Sequence, residues 1–106
     1  MNIEDLEKEI KSNEAVMVYF SGENCGVCHA LRPKIQDAVT NNFPKIKQLY
    51  ISATEFRETA ASLNVFTIPT VIVFLDGKEF IRQSRHISVG GFTEELQRPY
   101  NLFFKD

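Results

Sequence analysis

The sequence predicts an α/β protein, a single domain over residues 1–106 whose mixed central β-sheet carries helices on both faces. Three observations predict it. The runs "AVMVYF" (15–20) and "VIVFL" (71–75) are apolar without a break, as strands buried on both faces are. Segments of helical periodicity separate the early strands, and a helical crossover returns the chain parallel to itself. Asp76-Gly77, set between two strand-like runs, signals a tight hairpin and adds an antiparallel pair.

Each element has its own local cause. Ile3, Leu6 and Ile10 recur at helical spacing behind Asn2, a capping residue, so a helix is expected over 3–12. "AVMVYF" follows as the first strand, and "SGENCG" is a polar loop. Val27, Cys28, Leu31, Ile35, Ala38 and Val39 mark a long helix to about residue 42, with a kink expected at Pro33. "NNFPK" ends it. "IKQLYIS" (46–52) reads as a second strand, and 55–64 as a short helix with Phe56, Ala60 and Leu63 on one side. After the hairpin, residues 78–87 return as the partner strand, and Gly90-Gly91 opens a loop. A last helix packs through Phe92, Leu96 and Phe103, and Pro99 is expected to break or restart it. The aromatics Phe92, Tyr100, Phe103 and Phe104 read as core by their spacing.

Composition narrows the function. A formal net charge of −2 leaves no basic footprint for nucleic acid. No run of about 18 apolar residues is present, so no membrane span is expected. "MNIEDLEKEIK" has neither a basic start nor an apolar stretch, so it reads as a helix and not as a signal peptide; the expected location is cytoplasmic, and the expected state a monomer.

The chemistry concentrates in "GENCGVCHAL" (22–31), which holds both cysteines of the chain, Cys25 and Cys28, and then His29. The spacing admits a redox pair, a haem attachment site, or part of a zinc site. A structural staple fits poorly: reducing compartments do not hold one, and closing so short a loop constrains the unfolded chain little. Haem would need a distal ligand beyond His29, yet no Met follows residue 17 and His86 is the sole later His. Zinc would need all of Cys25, Cys28, His29 and His86, and adjacent Cys28 and His29 diverge on a helix. The pair instead sits where a buried strand ends and a helix opens. Unpaired N–H groups and the positive end of the helix dipole stabilise a thiolate there, lowering the first thiol below the usual ~8.5. Cys25 is therefore the expected nucleophile and Cys28, one turn on, the resolving thiol of a dithiol–disulfide exchange with no bound cofactor or metal.

The chain resembles the thioredoxin superfamily over nearly all its length. "VMVYF" leads into "SGENCGVC"; Pro33 lies five residues after Cys28, at the family's helix-kinking proline; "TIPT" (67–70) matches its cis-proline loop; and "VIVFLDGK" matches the strand and turn that follow. The resemblance implies a thiol–disulfide oxidoreductase that reduces protein disulfides and is recycled by a reductase or small thiols. It implies a cis Ile68–Pro69 bond beside the cysteines, and a partner-facing surface of Asn24, Cys25, Gly26, Val27, Ile68 and Pro69, with Ile68 pairing through its backbone.

The departures from the pattern bear on mechanism. The chain has no Trp, and Val27 stands where typical thioredoxins have Pro. Tyr19 occupies the position of the family's buried aspartate, and Gln48 aligns with the lysine usually paired to it. A neutral tyrosine is no base near neutral pH, so a competent first attack and a slower resolving step are expected. Arg82, Arg85 and His86 read as a charged edge strand, with a basic rim as the other reading. Glu23 and Glu55 read as solvated carboxylates. The rival function is a thioredoxin-fold binding module without catalysis, which would not need two thiols at this spacing.

Overall fold

The computed structural model describes residues 1–105. The chain runs α1 (Ile3–Ser12), β1 (Ala15–Ser21), α2 (Gly26–Asn42), β2 (Lys47–Ser52), α3 (Arg57–Ser62), β3 (Thr70–Leu75), β4 (Lys78–Ser84) and α4 (Val89–Phe103). The strands form one sheet in the order β2-β1-β3-β4. β1 pairs parallel to β2 and antiparallel to β3, and β3 pairs antiparallel to β4. This is the expected mixed sheet.

The uninterrupted apolar runs follow from the central places of β1 and β3. Alternate residues of each strand serve two separate cores. Met17, Tyr19, Val71 and Val73 face Ile35, Val39, Phe92 and Leu96 of α2 and α4. Val16, Val18, Phe20, Ile72 and Phe74 face Leu6, Ile10 and Ala60 of α1 and α3. A strand with a core on each side has no polar face, so period-two alternation is lost.

Local signals fix the ends. The Asn2 side chain accepts from the Asp5 N–H at 2.8 Å and caps α1 as expected. Asp76 and Gly77 both take positive φ, 53° and 75°, as the hairpin signal requires. Four expectations need correction. Pro99 neither breaks nor restarts α4, which runs through it; a proline removes one intrahelical bond, and the carbonyl it frees belongs to Glu95, a solvent-exposed residue. Gly90-Gly91 does not open a loop but forms the first turn of α4, because the Ser88 side chain accepts from the Gly91 N–H at 3.1 Å and caps the helix. Phe103 is 36% exposed, and Phe104 packs on Tyr100 in its place, with ring centroids 4.8 Å apart. β4 also ends earlier than expected, at Ser84, where Arg85 turns to a φ of 66°.

Candidate active site

β1 delivers the cysteines. Its last residues pass into a short turn in which Asn24 adopts a left-handed φ of 59°, a conformation asparagine tolerates better than most residues. Cys25 is the N-cap of α2. Its sulfur accepts from the Cys28 N–H at 3.2 Å, so an unpaired donor of the first helical turn points at the first sulfur of the pair. The two cysteines are joined in a disulfide, with their Cα atoms 5.3 Å apart. The pair is asymmetric: Cys28 is fully buried, Cys25 is partly open, and Gly26 and Val27 are exposed between them. Pro33 lies inside α2, which continues past it to Asn42.

A second loop faces this turn. The Ile68–Pro69 peptide is cis. Pro69 is buried, Ile68 half-buried, and the Pro69 carbonyl accepts from the Arg85 N–H at 2.9 Å. Ile68 reaches across to Gly22 so closely that a Cβ built there would lie 2.7 Å from Ile68 Cδ1 and 2.9 Å from Thr54 Cγ2. Thr54 Oγ1 also accepts from the Glu23 N–H at 3.2 Å. Gly22 thus lets the strand end, the β2–α3 loop and the proline loop close together. Sequence reasoning passed over Gly22 and Thr54, since nothing local marks a close approach between segments so far apart in the chain.

Beneath the pair, burial raises the Tyr19 hydroxyl from its ordinary 10.0 to about 12, against a smaller opposing pull from Arg32. That hydroxyl donates to the Cys28 carbonyl at 2.8 Å. Tyr19 is therefore a neutral tether on the first turn of α2. Its neighbour on β2 is one that sequence reasoning passed over. The register sets Tyr19 opposite Tyr50, and Gln48 opposite Met17. The Tyr19 and Tyr50 ring centroids are 5.9 Å apart, and Gln48 instead accepts from the Tyr50 hydroxyl and donates to Thr40. A signal was present: both strands end on the same Tyr-x-Ser pattern, "YFS" and "YIS", and parallel strands pair those ends in step. Arg32 lies over the Tyr50 ring, 4.3 Å from its centroid.

The proposed basic rim does not form through Arg82. Its guanidinium pairs with both Glu79 oxygens and donates to the Leu63 and Asn64 carbonyls, tying the edge strand to the end of α3. Among the described residues, no three His, Cys, Asp or Glu side chains converge as metal ligands.

A disulfide at the start of a helix, with one sulfur open and a cis-proline loop closed onto Gly22 just ahead of it, is a geometry for thiol–disulfide exchange, and comparison with known proteins agrees. The Thioredoxin family profile matches residues 1–98. The chain belongs to the thioredoxin family. It is similar to the thioredoxin-like protein YdfQ of Bacillus subtilis, 36% identical over 92% of this chain and 87% of that protein. It is also similar to thioredoxin-2 of Pyricularia oryzae, 33% identical over 74% of this chain and 45% of that one. Among solved structures, thioredoxin 1 of Thermosipho africanus superposes with a TM-score of 0.75 at 31% identity, covering 82% of this chain and 96% of that one. Family membership and a C-x-x-C pair at disulfide distance make this thioredoxin-fold protein a thiol–disulfide oxidoreductase. The reading as a binding module without catalysis is set aside.

Proposed function

We propose that Cys25 is the attacking thiol and Cys28 the resolving thiol in the reduction of protein disulfides. The observation that carries this is the asymmetry of the pair: Cys25 is partly open at the N-cap of α2, and Cys28 is fully buried behind it. In the reduced protein the donor that now meets the Cys25 sulfur supports a thiolate, and the helix dipole adds to it. The Cys25 thiolate attacks a partner disulfide and one partner thiol leaves. Cys28 then attacks Cys25, closing the internal disulfide and freeing the second partner thiol. A reductase or small thiols return the pair to its reduced form.

Asn24, Gly26, Val27 and Ile68 form the surface that receives the partner, and the buried Pro69 backs it. Support comes from the 63% exposure of Val27 beside the disulfide and from the position of Ile68 just ahead of β3, where an extended segment has backbone to pair with. No bound cofactor enters these steps. The protein works as a monomer and in the cytoplasm; with both of its cysteines in the redox pair, the chain has no structural disulfide to lose in a reducing compartment. In keeping with that, no helix among the described residues is long and apolar enough to cross a membrane.

Trapping tests the assignment. Cys28→Ser, with the resolving thiol gone, accumulates a mixed disulfide with a model protein disulfide through Cys25. Cys25→Ser accumulates none. Equal trapping by the two variants would overturn the order of attack.

A further inference from the structure

Cys28 must lose a proton before it can resolve the mixed disulfide, and burial opposes that loss. The groups around it come from several elements. Tyr19 of β1 and Tyr50 of β2 lie beneath it, His29 and Arg32 follow it on α2, and Glu23 and Glu55 flank the neighbouring cleft. Arg85 and His86 lie past the end of β4, on the side of Pro69. Neither phenol is a proton acceptor, because burial holds both above their ordinary value. Among the described residues no carboxylate hydrogen-bonds to Tyr19, whose hydroxyl is given to the Cys28 carbonyl.

Arg32 is different in three respects. It stands four residues after Cys28 on α2, hence on the same helical face. Its guanidinium is fixed over the Tyr50 ring, which in turn contacts the Tyr19 ring. Among the described residues it forms no ion pair, although Glu23 and Glu55 line the same cleft. Its field reaches both phenols, where it opposes the effect of burial.

We propose that Arg32, held over Tyr50, is the electrostatic support of the Cys28 thiolate in the resolving step, a role for which the described residues offer no buried carboxylate. The inference rests on the exchange reading above. The Cys28 thiol gives its proton to solvent, and the thiolate attacks the Cys25 sulfur of the mixed disulfide. The Cys25–Cys28 bond forms, the bond from Cys25 to the partner breaks, and the partner leaves as a thiolate that takes up a proton. Two electrons pass from the protein's thiols to the partner. Arg32 touches none of the reacting sulfurs and acts on Cys28 through its field alone.

The test reads the Cys28 thiolate directly, by its ultraviolet absorbance during a pH titration of Cys25→Ser with and without Arg32→Met. The Cys28 pKa is expected to rise by about half a unit to one unit, a modest shift because Arg32 is exposed and screened. Arg32→Lys keeps the charge and is expected to shift it less. In the two-cysteine protein, a higher pKa leaves less thiolate but makes each thiolate a better nucleophile. Arg32→Met should therefore resolve about 2–3-fold more slowly near neutral pH and at least as fast above the thiol pKa, so the two pH profiles cross. A Cys28 pKa unmoved within about 0.2 unit would overturn the proposal. So would slowing by one constant factor at every pH, the mark of a structural role. Failure of the wild-type protein to form a mixed disulfide at all would overturn the exchange reading instead, and the titration of Cys28 would still judge Arg32.

Discussion

Two residues set the geometry of the redox pair from behind. Tyr19 tethers the first turn of α2 through its bond to the Cys28 carbonyl. Tyr19→Phe removes one buried hydrogen bond with little change of shape, and is expected to lower unfolding stability by about 0.5–1.5 kcal/mol in denaturant titration. The pH dependence has a definite sign. The folded value, about 12, lies above the ordinary 10.0, so the stability linked to the neutral phenol is complete below pH 10 and is lost as pH rises towards 12. Tyr19→Phe should erase that alkaline loss. Gly22 acts through absence. Its missing Cβ is the space that Ile68 and Thr54 fill, so Gly22→Ala is expected to cost about 1–3 kcal/mol. It should also slow mixed-disulfide formation by displacing Ile68 and the turn that carries Cys25, whereas Gly26→Ala, with nothing within 4 Å of the added carbon, should fold normally.

At the scale of elements, β4 is an edge strand, and Arg82 secures it. The bidentate pair with Glu79 holds that carboxyl below its ordinary value of 4.5, chiefly through the hydrogen bonds from Arg82. The folded value is depressed, so the stabilisation is present above about pH 4.5 and fades as pH falls through the folded value. Both side chains are partly exposed, and Glu79→Gln is expected to cost about 0.2–1 kcal/mol at pH 7 and progressively less as pH falls below 4.5, measured by urea unfolding across that range. Most elements were legible in the sequence because their signals are local: the Asn2 cap, the apolar runs of β1 and β3, and the Asp76-Gly77 turn. The misreadings also have local causes. Pro99 reads as a breaker because sequence does not show whether the freed carbonyl meets water. Gly90-Gly91 reads as a loop because glycine punctuates loops more often than it starts helices, and the Ser88 cap that decides the matter is a single hydroxyl.

At the scale of the whole molecule, the candidate site is the meeting of four segments: the end of β1, the start of α2, the β2–α3 loop and the cis-proline loop. The first two are contiguous, so Cys25, Cys28 and their helix-start position could be read directly. The others are brought in by the sheet. Tyr50 reaches Tyr19 only through the β1–β2 register, and Ile68 reaches Gly22 only because β3 runs antiparallel to β1. Sequence spacing does not carry such contacts, which is why Tyr50 was passed over. The same arrangement gives the molecule one open sulfur backed by one buried sulfur, with a tyrosine pair beneath and Arg32 over the Tyr50 ring.

The central claim is that Cys25 and Cys28 form a reversible two-electron couple. Equilibration of the protein across a series of dithiol–disulfide buffers, with the thiols alkylated and counted by mass spectrometry, tests it most directly. The account predicts a single transition in which both thiols appear and disappear together, at a potential within or below the cytosolic glutathione range of about −220 to −320 mV. Independent titration of the two thiols, or a pair that does not return to the disulfide, would contradict it.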